Sequence, residues 1–295
     1  MMKIDPKEVK TAKLHGYLLG AVAPRPIAFA STIDKDGNPN LSPFSFFNVF
    51  GANPATLIFS PARRVRDNTI KHTLENVYEV PEVVINIVNY DIVQQMSLSS
   101  TEYEKGVNEF DKAGFTMVKS DTIKPFRVKE SPVQLECRVK EVIETGTEGG
   151  AGNLIVCELL MMHINDDILD ADERIDQNKI DLVARMGANW YCRASGDALF
   201  EVEKPIRNKG IGVNEIPEHI RNSDILTGNN LGQLGNVEHL PSASDIESFK
   251  SDSVIAELLK QHGGNLSDSE MHKQAKLFLE KNDVNNAWKI LLLKS

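Results

Sequence analysis

The sequence predicts a mainly β fold, a β-barrel with helical insertions, followed by a small α-helical C-terminal appendage. Three observations predict it. Short β-type runs separated by turn signals fill the first two thirds of the chain. Helical periodicity is confined there to a few connecting stretches. The composition then shifts near Pro205, and clear helical spacing returns only after Asp245.

The elements follow in order. Ile27 to Ile33 is the first strand, and it runs into Asp34-Lys35-Asp36-Gly37-Asn38. The Asp-Gly pair supplies a hairpin turn, because glycine tolerates positive φ. Ala55 to Ser60 and Val83 to Val88 are further apolar runs of strand length. Thr69 to Val80 between them reads as a helix stopped by Pro81. Asp91 to Ser99 reads as a second, with Asp91 as its N-cap. Val133 to Val139 alternates, with Val133, Leu135, Cys137 and Val139 on one face and Gln134, Glu136 and Arg138 on the other. That is the pattern of a half-buried strand. Leu154 to Ile164 is a long apolar run, bounded by Gly149, Gly150 and Gly152 before it and Asn165-Asp166-Asp167 after it. It reads as a strand, and Gly146 to Gly152 as the hairpin loop ahead of it.

Residues 206–244 are rich in Asn, Gly and Ser and show little periodicity. The stretch is longer than a normal connection, so it is expected to wrap the first domain or act as a linker. Asp245 to His262 then carries Ile246, Phe249, Val254, Leu258 and Leu259 at helical spacing and stops at Gly263-Gly264. Ser267 and Glu270 stand as in a capping box, opening a helix to Asn282, and Val284 to Leu293 is another. The expected organisation is a barrel domain at 1–205, a connecting segment at 206–244 and a helical appendage at 245–295.

Composition bounds the function. A chain of 295 residues, 41 % hydrophobic, can bury a full core. Its net charge of −9 argues against a general nucleic-acid binder, while leaving room for a local basic pocket. Cys137, Cys157 and Cys192 are odd in number and far apart, which indicates neither a disulfide framework nor a zinc site and fits a reducing compartment. The N-terminus has no signal-peptide core, and no run approaches the roughly 18 apolar residues of a membrane helix, so the cytoplasm is the expected location. His163, ahead of Asp166 and Asp167, reads as a strand-end histidine beside a turn. His15 and His72 have no regular spacing with it, so no metal site is expected. No nucleophile motif and no dinucleotide or P-loop glycine pattern is present.

The informative stretch runs from Pro24 to Asn86. It holds Pro24-Arg25-Pro26-Ile27-Ala28, Ser31-Thr32, Asp36-Gly37-Asn38 and Leu41-Ser42-Pro43-Phe44-Ser45-Phe46-Phe47-Asn48. Asn53-Pro54, Phe59-Ser60, Lys71-His72-Thr73-Leu74-Glu75-Asn76 and Val84-Ile85-Asn86 follow. Taken alone, the Phe44–Phe47 stripe would be a strand burying aromatics in a core. Ser60, Arg63, Arg64, Arg66, Asn68, Thr69, Lys71 and Thr73 form a cationic, hydroxyl-rich segment in an acidic chain. Its cations alone would be a solvated face.

In order and spacing this stretch resembles the flavin reductase-like family of FMN-binding split barrels. Arg185-Met186-Gly187 through Tyr191 is similar to that family's segment near the end of the barrel. The resemblance covers roughly residues 10 to 200 and leaves the helical tail out. It implies a split β-barrel, FMN as cofactor, a homodimer, and passage of electrons from NADH, NADPH or a similar donor to an acceptor. A non-catalytic FMN-binding or electron-shuttle protein would use the same pocket. A barrel whose tail recruits a partner is a third reading. Carried over by resemblance, Ser31, Thr32, Phe44, Ser45, Phe46, Phe47 and Asn48 would line the flavin ring. Ser60, Arg63, Arg66, Asn68, Thr69, Lys71 and Thr73 would hold ribityl and phosphate. Arg25 would lie near the ring or the dimer seam, and Arg185 near the partner subunit. His72 stands where the family often has Asp. These residue types suit a flavin mononucleotide, because a flat ring needs an apolar slot with hydrogen bonds at its edge and a phosphate needs fixed donors.

Overall fold

The computed structural model describes residues 1–206 and 209–293. The chain divides into two units, residues 1–200 and 201–295, each with its own core.

The first unit opens with α1 (Thr11–Ala21), β1 (Ala28–Ile33), β2 (Pro39–Phe44), β3 (Phe47–Ala52) and β4 (Ala55–Phe59). Next come α2 (His72–Glu79), β5 (Glu82–Ile87), α3 (Val93–Leu98), α4 (Glu109–Ala113), β6 (Met117–Val118) and β7 (Arg127–Val128). The long strands β8 (Val133–Glu144) and β9 (Asn153–Ile164) follow, then α5 (Gln177–Ile180), β10 (Val183–Arg185) and β11 (Tyr191–Arg193). One antiparallel sheet takes seven strands in the order β2-β1-β5-β8-β9-β4-β3. Two ribbons, β6–β7 and β10–β11, stand outside it.

The sheet is rolled, and chain length alone requires it. Its two edge strands, β2 and β3, are joined through Ser45 and Phe46 only. A flat seven-stranded sheet would hold its edges about 29 Å apart. Three Cα steps span at most about 11 Å. The edges therefore meet, and Phe44 of β2 packs on Phe59 of β4 at 5.6 Å between ring centroids. The interior holds Ala28, Ala30, Phe59, Val83, Ile85, Leu135, Cys137, Ile155 and Cys157, with Leu74 and Val77 from α2. β1 is buried along its whole length because its other face is covered too. There Ile27 and Phe29 pack with Met96 of α3 and Phe110 of α4.

The β1–β2 hairpin forms as the sequence suggests. Gly37 sits at φ +89°, and the Asp34 carboxylate accepts from the N–H groups of Asp36 and Asn38. Val133, Leu135 and Cys137 face the barrel interior, again as their alternation implies. Four local expectations differ. Phe44 to Asn48 is not one strand but a bend at Ser45-Phe46 between two. Thr69 to Lys71 stay outside α2, because Arg64 takes Thr69 Oγ1 and the Ile70 carbonyl into the loop. Asp91 lies inside a single 3₁₀ turn and caps nothing. Glu136 is no solvent-facing residue: the 121–127 segment covers it completely.

The second unit contains α6 (Glu218–Arg221), α7 (Gly228–Gly235), α8 (Ala243–Lys250), α9 (Ser253–Gln261), α10 (Asp268–Leu279) and α11 (Val284–Leu291). Described residues of the 209–244 stretch thus belong to this unit. Ile216, Ile220, Leu226 and Leu234 join Ala275, Leu279 and Trp288 in this unit's core, and Trp288 Nε1 donates to the Leu234 carbonyl at 3.0 Å. The stretch expected as one helix at 245–262 is two, since the Asp252 side chain accepts from Val254 N and Ile255 N and starts the second. Ser267 accepts from Glu270 N, but the full reciprocal box is made by Ser242 and Asp245 and by Thr227 and Asn230.

Candidate functional site

The expected site residues fall at two places on one path along β2 and the bend. The first is the bend itself. Ser45 Oγ lies 3.4 Å from Arg25 Nε. Arg25 is more than nine-tenths buried, and its remaining donors go to backbone carbonyls: Leu19 at 2.6 Å, Val22, and Met186 at 2.9 Å. Burial, and then the neighbouring Arg185, lower its pKa. Arg185 pairs with Arg25 in an isolated bridge and lies over the Tyr191 ring at 4.6 Å. Phe46 is partly exposed and meets His15 edge-on. Phe44 is spent in the barrel core, Phe47 packs at its margin, and Asn48 is exposed. Ser31 is fully buried, and its Oγ has no hydrogen-bond partner among the described residues. Thr32 Oγ1 accepts from Asn76.

The second place is the loop from Ser60 to Thr73. Ser60 ties it to the bend: its N–H donates to the Phe46 carbonyl at 2.9 Å and its Oγ accepts from Asn153 N. A Cβ at Gly152 would stand 3.2 Å from Ser60 Oγ, so a larger residue there would push Ser60 by a few tenths of an ångström. Arg63 turns inward and donates to Asn68 Oδ1 at 2.7 Å, and Asn68, at φ +61°, reaches the Thr147 carbonyl. Arg63 and Asn68 therefore build the loop.

Three cations gather at its end, Arg66 largely in solvent and Arg64 and Lys71 more deeply set. Arg64 Nε and Arg66 Nη2 each donate to the Glu102 carboxylate at 3.0 Å, and Lys71 Nζ stands 3.9 Å from it. Thr69 donates to Asp67, which also pairs with Arg66. Burial, then Arg64, lower the Lys71 pKa, while hydrogen bonds from Arg66 and Arg64 lower that of Glu102. A narrow polar cleft opens here, lined by Arg64, Lys71, His72 and Thr73 on one side, Asn40 and Ser42 of β2 on another, and residues 100–103 with Glu109 on the third. Helix α2 begins in the cleft wall with no side-chain cap. Thr73 Oγ1 donates to Asn40 Oδ1 at 2.7 Å, and Asn40 Nδ2 donates to Glu109 Oε1 at 2.8 Å. Burial raises the Glu109 pKa.

Lys71, Arg64 and Thr73 thus share one cleft with Ser42. Ser45 lies three residues further along the same chain, about 10 Å in extended backbone. Donors for an anion stand at one end and a bend with a hydroxyl and an exposed aromatic at the other, which suits a mononucleotide with a flat ring. The gathering of the cations around a carboxylate bears on the fit: the seat holds an anionic oxygen pair with the donor geometry a phosphate needs. Ser42, Asn40, Glu102 and Glu109 were not singled out in the sequence. Ser42 could have been, as the hydroxyl on the strand face that also carries Phe44.

Elsewhere, a cleft of about 190 Å³ lies between α3 and the β10–β11 ribbon, lined by Tyr90, Gln94, Ser97, Tyr191, Cys192 and Arg193. Asp121, Glu136 and His163 bring three potential metal ligands within 4.8 Å. The Glu136 carboxylate is already served there, by Thr122, by Asp121 N and by His163 Nε2 at 2.7 Å, with Arg127 3.7 Å away. Burial alone would raise its pKa, but these hydrogen bonds bring it down to about 2. The Cys137 thiol is pushed up to about 12 by burial, so it is no nucleophile. No helix among the described residues is long and apolar enough to cross a membrane.

Comparison with known proteins adds a family. Residues 20–179 match the model of the "Flavin reductase like domain". An uncharacterized protein of Aquifex aeolicus is 36 % identical over 201 residues, covering 68 % of this chain and all of that one. The crystal structure of nitrilotriacetate monooxygenase component B from Bacillus cereus superposes with a TM-score of 0.63 at 26 % identity, over 68 % of this chain and 98 % of that one. A Shewanella frigidimarina protein described as a flavin reductase with split barrel domain superposes at 0.57 with 25 % identity, over 69 % of this chain and all of that one. The rolled sheet is a split β-barrel of this kind. The family match ends before the second unit begins.

Proposed function

The chain belongs to the flavin reductase like family, and from that premise we propose that it is an FMN-dependent oxidoreductase that takes electrons from NADH or NADPH and passes them to an acceptor. The observation that carries this reading is the convergence of Arg64, Arg66 and Lys71 at the uncapped start of α2, one short length of β2 away from the Ser45-Phe46 bend. Lys71, Arg64, Arg66 and Thr73 would hold the phosphate. Ser42, Ser45 and Phe46 would face the ring; Ser31, fully buried and paired with Leu41 on the opposite strand face from Ser42, would not. Arg63, Asn68 and Thr69 would shape the loop, and Arg25 and Arg185 would fix the bend against the β10–β11 ribbon. Bound FMN supplies the hydride-accepting and electron-passing chemistry, while the chain supplies binding, orientation and electrostatics. Hydride transfer requires no protein acid or base, so the site needs no triad.

The absorbance spectrum with added FMN tests this reading, followed by anaerobic titration with NADH and NADPH. A protein that stays colourless in excess FMN rules the reading out. One that binds FMN but does not oxidise either nicotinamide in steady state is an electron shuttle instead. We further propose a homodimer, supported by edge strand β3, which leaves Val49 and Phe50 more than half exposed. A cytoplasmic location fits three free cysteines. Light scattering that shows a monomer with full FMN affinity removes the dimer.

A further inference from the structure

The anion end of the cleft already contains its own anion. Glu102 comes from the segment between α3 and α4, yet its two oxygens take donors from Arg64 and Arg66 of the Ser60–Thr73 loop, with Lys71 next to them. The carboxylate is about half exposed, and exposed ion pairs of this kind contribute little to stability. The start of α2, which has no side-chain cap, adds the partial positive charge of a helix N-terminus to the same spot.

Charge decides what can replace it. With Glu102 in place, Arg64, Arg66 and Lys71 face two carboxylates, Glu102 and Asp67. Glu109 beneath them is pushed toward its neutral form by burial. With Glu102 swung out, Arg66 keeps Asp67, and Arg64 and Lys71 stand uncompensated. A phosphomonoester near pH 7 carries about −1.5 to −2. The exchange of one carboxylate for one such group leaves the seat close to neutral. A neutral ligand end offers nothing in exchange.

We propose that Glu102 is an internal counter-ion seated where the phosphomonoester of the ligand binds and that binding displaces it, so that it lowers the affinity for phosphorylated flavin and leaves that for unphosphorylated flavin unchanged. The inference deepens the reading of this cleft as the FMN phosphate seat and rests on it. Its cost falls on every anion: each must compete with a tethered carboxylate at high effective concentration.

The test is Glu102→Gln, which keeps size and polarity and removes the charge. Three probes are titrated against wild type and variant: FMN and riboflavin by quenching of flavin fluorescence, and inorganic phosphate by calorimetry. FMN and inorganic phosphate should bind the variant about two- to fivefold more tightly, the range of one modest ion pair, with riboflavin unchanged. FMN and phosphate binding that is unchanged or weaker in the variant overturns the proposal, as does a riboflavin gain equal to that for FMN. Phosphate binding that tightens without any flavin binding sustains the counter-ion and removes the FMN reading. Binding of no probe by either protein removes both.

Discussion

At the Ser45 bend the nearest guanidinium, that of Arg25, is buried and donates to the carbonyls of Leu19, Val22 and Met186. Beside α2, Arg66 stays largely in solvent and donates to side-chain carboxylates, while Arg64 divides its donors between the Glu102 carboxylate and its own loop, at Thr69 Oγ1 and the Ile70 carbonyl. The difference lies in the acceptor. A backbone carbonyl cannot leave without the chain refolding, whereas Glu102 can rotate away and its place be taken. Arg25 therefore joins the end of α1, the bend and the β10–β11 ribbon into one frame. The Arg64–Lys71 group stays available for exchange. Cationic residues counted in a sequence look alike, and only their acceptors separate structural arginines from binding ones.

The largest effect should follow from Arg25→Ala. It strands three carbonyls in a buried place, and an uncompensated buried site of this kind costs about 3 kcal/mol or more. Urea denaturation followed by far-ultraviolet circular dichroism reads it. Arg25→Lys should recover only part, since an ammonium lacks the planar fork that reaches several acceptors at once. A variant within about 0.5 kcal/mol of wild type would erase the distinction between a structural Arg25 and an exchangeable Arg64–Lys71 group. Lys71→Ala should behave oppositely. Its stability should change by less than about 1 kcal/mol, because its partner is an exposed carboxylate. Its affinity for FMN should fall about tenfold, about 1.4 kcal/mol, and that loss should shrink in high salt.

The strands were legible because their signals are local. Alternation at Val133–Val139 and the Asp34–Gly37 turn are set by neighbours in sequence. The bend at Ser45-Phe46 was not, since Phe44-Ser45-Phe46-Phe47 alternates as a strand would and contains no glycine or proline to mark the break. What imposes it is the meeting of the two sheet edges, a long-range event. The cationic half of the anion seat stood out as a cluster of Arg and Lys in an acidic chain. Glu102 and Glu109 did not, because among 42 acidic residues nothing local distinguishes two that tertiary packing brings to the loop. Residues 206–244 misled for a related reason. Ile216, Ile220, Leu226 and Leu234 are buried from turns and helices of four and eight residues, too short to print a period.

Glu109 allows the finest separation of frame from seat. It is buried at the start of α4 and accepts from Asn40 Nδ2 and Leu41 N. Burial raises its pKa against the opposing pull of those hydrogen bonds. A carboxyl whose folded pKa exceeds its unfolded value stabilises the fold fully below the unfolded pKa, about 4.3, and loses that contribution as pH rises through the folded one. Glu109→Gln is fixed in the neutral form but turns an acceptor into a donor, which costs about 1 kcal/mol at every pH. The advantage of wild type over this variant should therefore be greatest near pH 4 and shrink as pH rises, as read by urea denaturation across that range. A constant gap would mean that Glu109 does not titrate above the ordinary range. The seat gives the second reading. Through Asn40 and Thr73, an ionised Glu109 places negative charge beneath Arg64 and Lys71, so sulfate, whose own charge is constant here, should bind wild type progressively less well than the variant over the same interval. If stability follows pH and sulfate binding does not, Glu109 belongs to the frame alone.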